Sequence, residues 1–311
     1  MKTITIILIA AMAVFASVPV IHAQSHPDDI YWDPSFGTLG ANTRVETIVL
    51  DGPNMYVGGQ FTAIGGISAY GVARFDGTQW HALGGGFIGF GEELMVHDGI
   101  VYSTTQRYWD GETWHGMGED FSGSHYYPDV WEMAYLKGSI YYGGGFTHAG
   151  GLVVNGIARW DASDWHDLDG GVWNGTTAGT VGGVASDADF LYVAGVFDRA
   201  GNVQSRNFAK WDGENWHAVP SQGLHGQVDV RSSAVVDGKW YVAGSFILDT
   251  VEGVTRNIAM WDGSQWHGFH GGTDDLVLGM SVVESEVYIC GLFKKAGGVP
   301  MSHIARWDGS S

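Results

Sequence analysis

Histidine and aspartate recur through this chain in a pattern that could supply chemistry. His81, His115, His166, His217 and His267 each follow a tryptophan, and Asp76, Asp110, Asp161, Asp212, Asp262 and Asp308 each follow an aromatic residue. Imidazole beside carboxylate serves general acid–base catalysis, and grouped aspartates serve calcium. One register filled in copy after copy reads instead as a structural feature, with the aspartate in a hairpin turn bonding its own backbone. Calcium would need alternating ligands of the form Asp-x-Asp-x-Asp-Gly, of which Asp187-Ala188-Asp189 is only a fragment. The chain has no Gly-x-Ser-x-Gly, no His-Glu-x-x-His and no phosphate-cradling loop. No catalytic residue, metal or cofactor is therefore assigned.

Residues that break the pattern are more informative. Phe121, His125, Tyr126, Tyr127, Asp129 and Trp131 stand close together, and Trp173 follows further on before Asn174-Gly175-Thr176. These seven are the candidate ligand-binding residues. Rings stack on sugar faces while amides and carboxylates take the hydroxyls, so carbohydrate is the chemistry that fits them. The competing reading is that the aromatics cover a core left open by a missing loop. Glu119 or Asp120 with Asp129 could form the carboxylate pair of a glycoside hydrolase. A carbohydrate-active enzyme is thus the second reading, behind a non-catalytic binding or scaffolding protein. His225 and His270 fall on other connections expected around the same mouth.

A repeat positions all of these residues. The stretch from Tyr56 (Tyr-Val-Gly-Gly-Gln-Phe-Thr) to Trp80-His81 returns from Tyr142, Tyr192, Tyr241 and Tyr288, and in shortened form from Tyr102. Its aromatic-Asp pairs begin at Phe75, Trp109, Trp160, Trp211, Trp261 and Trp307, at spacings of 34, 51, 51, 50 and 46. Copies at such a period mean one supersecondary unit each. Each copy reads as four short strands: an apolar stretch such as Val45–Leu50, the Tyr-Val-Gly-Gly stretch, Ile-Ala-Arg-Trp, and Trp-His-x-Leu after a tight Asp-Gly turn. The expected fold is all-β, a six-bladed β-propeller of four-stranded blades. The blades fall at about 41–86, 87–118, 119–171, 172–222, 223–271 and 272–311. The second copy lacks Phe-Thr-x-Ala-Gly-Gly, which should open a notch in the loop face beside residues 119–131.

The last copy stops at Trp307-Asp308-Gly309-Ser310-Ser311, short of a fourth strand. The missing pattern stands near the start, as Trp32-Asp33-Pro34-Ser35-Phe36-Gly37-Thr38-Leu39-Gly40. Residues 31–40 are expected to complete the sixth blade and so pair two open edges.

Lys2, the apolar run Ile4 to Ile21 and the close at Ile21-His22-Ala23 read as a signal peptide over residues 1–23. The mature chain, 24–311, is expected to be one secreted domain without a membrane span. Without Lys2 it has 14 basic against 34 acidic residues, a formal charge of −20, which repels nucleic acid. Cys290 is the only cysteine, so stability must come from packing rather than a disulfide. A monomer is expected, with a polysaccharide or a cell-surface protein as partner.

The succession Tyr-Val-Gly-Gly, Trp-Asp and Trp resembles the kelch repeat. It is closer to a variant of the form LYVGGxFTxAGG…IARWDGxxW, similar to repeats of secreted bacterial proteins and of fungal Rax2-type surface proteins. The resemblance covers nearly all of residues 31–311 and implies a propeller; it implies little about activity. Galactose oxidase, a kelch-like propeller, uses a cysteine cross-linked to tyrosine, but Cys290 holds the glycine-pair position equivalent to Gly58 and reads as a small buried residue. Sialidase turns follow Ser-x-Asp-x-Gly-x-Thr-Trp, whereas Asp and Gly are adjacent here. Arg74, Arg159 and Arg306 are accounted for by the repeat.

Overall fold

The computed structural model describes residues 40–87, 93–118, 121–123, 130–221, 224–283, 286–301 and 303–309. Among them the chain is all-β, in small antiparallel sheets without a helix, so no helix is long and apolar enough to cross a membrane. Residues 40–103 and 108–115 form one compact unit, and residues 104–107 and 116–309 another.

Two four-stranded sheets fall in the smaller unit except for Arg107 and Gly116. Sheet one consists of Val45–Asp51, Asn54–Gly59, Val72–Phe75 and Trp80–Ala82, and sheet two of Leu94–His97, Ile100–Ser103, Arg107–Trp109 and Trp114–Gly116. In the larger unit, sheet three is Val130–Leu136, Ser139–Gly144, Ile157–Trp160 and Trp165–His166, and sheet four is Thr180–Ser186, Leu191–Val196, Phe208–Trp211 and Trp216–Ala218. Sheet five is Leu224–Val236, Lys239–Thr250, Gly253–Trp261 and Trp266–His267. Sheet six has three described strands, Val277–Val283, Glu286–Gly291 and Ile304–Trp307. Strands neighbour one another in chain order throughout, as tight turns between short β-rich runs dictate.

The glycine pair of the second strand has a steric reason. In sheet four the first strand bulges between Val181 and Gly183, and a Cβ on the facing Gly195 would lie 2.0 Å from the Thr180 carbonyl oxygen. Register shifts recur at Val130/Glu132, Val230/Ser232 and Val277/Gly279. In sheet three a Cβ on Gly143 would lie 2.4 Å from Val184 Cγ2, so glycine there lets sheets three and four pack closely.

The Trp165, Trp216 and Trp266 indoles are 5–7% exposed, and each donates its N–H to a distant backbone carbonyl: Met117 at 2.7 Å, Leu168 at 2.8 Å and Pro220 at 2.6 Å. In the smaller unit Trp114 does the same to Leu83 at 2.8 Å. The buried indole N–H thus finds a fixed acceptor, as buried tryptophan requires.

Three local departures from the four-strand reading stand out. The Phe-Thr-x-Ala-Gly-Gly connections are short ladders rather than open loops, such as Ala63–Ile64 on Ile67–Ser68 and His148–Ala149 on Leu152–Val153. The strands of sheet five run long, 13 residues for Leu224–Val236, because Leu224 and His225 pair with Leu248 and Ile247 while Ile247 to Thr250 continue the ladder against Gly253 to Arg256. Residues 172–178 also form strands, described below.

Candidate functional site

The recurrent aspartates and histidines prove to be partners. Asp76 Oδ1 accepts the Thr78 and Gln79 amides, both at 2.9 Å, while Oδ2 lies 2.6 Å from His81 Nε2. The arrangement repeats in Asp110–His115 and Asp161–His166 at 2.6 Å, Asp212–His217 at 2.7 Å and Asp262–His267 at 2.8 Å. Asp and His therefore bracket each hairpin between the third and fourth strands, and the turn between them needs a left-handed residue. Glycine fills that place at Gly77, with φ +93°, but Ala162 fills it in sheet three with φ 78°.

These turns have a pH signature. Backbone amides of Thr113 and Glu112, then His115, hold the Asp110 carboxyl down at about 2, and the other four turn aspartates are also lowered. A carboxyl lowered in the folded state contributes stability above its unfolded value, about 3.9, and loses it as pH falls toward the folded value. The urea midpoint is expected to fall steeply between about pH 4 and pH 2. Asp212→Asn should make that fall shallower; an identical pH profile would remove the turns as its source.

Of the seven candidate ligand residues, His125, Tyr126, Tyr127 and Asp129 lie outside the described residues. Phe121 is 5% exposed, with ring centroids of Phe146, Trp165 and Tyr142 at 4.3, 4.9 and 5.7 Å. Its ring anchors the base of the connection and offers no face to a ligand. In this position the phenyl ring packs among the core aromatics. Trp131 is half-buried and sits at the bulge of its strand. Trp173 is half-buried too, with the Arg199 guanidinium 5.1 Å from its ring centroid. Of the two histidines placed near the mouth, His225 pairs with Asp249 at 3.1 Å and His270 stacks edge-on to Trp307 at 4.8 Å.

Sequence reasoning missed Glu132, one residue past Trp131. It is 8% exposed and its carboxyl reaches two other sheets: Oε2 accepts the Val184 amide of sheet four, and Oε1 the Ser233 amide of sheet five at 3.1 Å. Beside it, a Cβ on Gly183 would lie in ordinary contact with Glu132 Oε2 at 3.5 Å but only 2.7 Å from Val230 Cγ1, so glycine there lets sheets four and five pack closely. An acidic residue inside an apolar strand, Val-Trp-Glu-Met-Ala, was the available signal.

Cys290 is 7% exposed, and burial pushes its thiol pKa up, which keeps it an unreactive packing residue. Among the described residues no three His, Cys, Asp or Glu side chains group as metal ligands. The chain matches no protein-family model and no curated protein in sequence.

Proposed function

We propose that the chain is a secreted six-bladed β-propeller, closed by residues 31–40, that acts outside the cell as a non-catalytic binding or scaffolding module for carbohydrate or a cell-surface protein. The observation that carries the binding reading is the use of the repeated polar groups. The Asp–His pairs hold hairpins and the tryptophan N–H groups tie sheets together, which leaves recognition to the residues that break the repeat. Those are the 121–131 connection and Trp173.

Closure draws its support from sheet six. Its outer strand Ile304–Trp307 borders a cavity of about 150 Å³ walled by Phe269, Ile289, Ala305 and Trp307, with His270 and Met301. These four match, position for position, Leu168, Val193, Ala209 and Trp211, the residues clustered with Trp216 of sheet four. A void of roughly this volume accepts a benzene ring. In the sequence Trp32-Asp33-Pro34-Ser35-Phe36, outside the described residues, Phe36 stands where the fourth-strand tryptophan stands in the other copies.

The test of function is binding of the mature chain to arrayed glycans and immobilised polysaccharides, with Trp131→Ala alongside. Retention on at least one polysaccharide, without release of sugars from it, is expected. Turnover of a bound polysaccharide would overturn the non-catalytic reading.

A further inference from the structure

Beyond sheets three to six the larger unit holds one further four-stranded sheet, and it has two unlike faces. It joins Val172–Asn174 and Thr177–Ala178 to Arg199–Ala200 and Val203–Gln204, in the order Thr177–Ala178, Val172–Asn174, Arg199–Ala200, Val203–Gln204. Residues directly opposite on neighbouring strands share a face. One row is Val172, Ala200 and Val203, and it packs inward: Val172 and Ala200 are fully buried in the cluster around Trp216, with Val203 against it. The other row, Ala178, Trp173, Arg199 and Gln204, must then face outward. Exposure agrees, since Trp173 and Arg199 are half-buried and Gln204 is exposed.

The fifth copy has a matching row of His225, Ile247 and Arg256, without a tryptophan, and the remaining described copies have only short ladders there. The corresponding pairs elsewhere are Ala63 with Ser68, His148 with Val153 and Lys295 with Pro300, each on a two-stranded ladder. Beside those ladders only single bridges occur among the described residues, Ser122 to His148 and Thr273 to Ala296. The Val172–Ala178 hairpin therefore adds a tryptophan to a place that has none in the other copies.

We propose that this outward face binds the neutral sugar residues of a polysaccharide, a deepening that rests on the binding reading above. Trp173 presents an apolar ring, and the row from it to Gln204 spans two strand spacings, about 10 Å, as one flat strip. Arg199 donates only, while the Gln204 amide both donates and accepts, so the strip matches the mixed demands of sugar hydroxyls. The choice of a neutral sugar follows from charge. Asp198 adjoins Arg199 in sequence and accepts the Gly175 amide at 2.9 Å, Asp169 accepts from Asn202 at 3.3 Å on the same sheet, and the whole chain is at −19. An anionic polymer meets repulsion there.

Affinity electrophoresis of the mature chain against a β-glucan, a mannan, a xylan and polygalacturonate tests this. At least one neutral polymer should retard the chain, and Trp173→Ala and Arg199→Ala should each weaken that binding about tenfold or more, as loss of a central aromatic or arginine contact does. Trp173→Tyr should restore most of it, and none of these outward substitutions should shift the urea midpoint appreciably. Unchanged affinity in both alanine variants would overturn this site while leaving glycan binding intact. Retardation by polygalacturonate alone would overturn the neutral ligand. Retardation by no polymer would overturn this site and carbohydrate as the ligand together.

Discussion

If the proposed closure holds, Phe36→Ala is expected to destabilise the chain by about 3–5 kcal/mol, the range for truncating a buried aromatic side chain. Under the proposed closure its ring occupies the cavity between Phe269, Ile289, Ala305 and Trp307. In sheet four the same walls enclose Trp216, 5% exposed and 5.3 Å from the Trp211 ring centroid. Removing the ring would forfeit that burial and leave a void too apolar for water. A chain beginning at Gly40 should fare worse still, because the strand Ile304–Trp307 would keep a row of unpaired backbone groups. Urea denaturation followed by tryptophan fluorescence reads both. A midpoint for Phe36→Ala within error of the parent would show that the cavity is filled by something else. Phe36→Trp supplies a control, since tryptophan is the residue used at this position in the described sheets, and it should keep most of the stability.

Glu132→Ala is the second large effect, expected at about 3–6 kcal/mol from two amides, one buried and one part-buried, deprived of a charged or strongly polar acceptor at about 1.5–3 kcal/mol each. The carboxyl binds across three sheets, so its loss removes the acceptor that the Val184 and Ser233 amides share. Glu132→Gln should recover only part of the loss, because one end of the amide presents a donor to a donor. Equal urea midpoints for the parent and Glu132→Ala would dismiss the bridge as a stabilising contact. Recovery of full stability by glutamine would show that a single acceptor oxygen suffices.

Much of the local structure was legible because it depends on neighbours a few residues apart. Asp76, Gly77 and His81 form a turn within 5 residues of sequence, and the repeat displays that turn again and again. The glycine pairs, the placement of tryptophan in the fourth strand and the buried Cys290 could be read in the same way. The burial of Phe121 was not legible, because an aromatic residue in a connection has the same appearance whether it faces solvent or a core. Only the rings of Phe146, Trp165 and Tyr142 around it distinguish the two.

The amino-acid sequence by itself determined that the chain is built of strands, where the strands turn, and which polar residues belong to the repeat. Period, turn chemistry and apolar alternation are local properties that each copy states anew. Tertiary structure alone decided the contacts between copies. Glu132 meets Ser233 across 101 residues of sequence, and no rule of spacing links the two. The same holds for Trp173, whose outward face was settled only when Val172, Ala200 and Val203 turned to the core and left Trp173, Arg199 and Gln204 in one row. A residue's partner across a sheet depends on register, and register is fixed by which face can be buried.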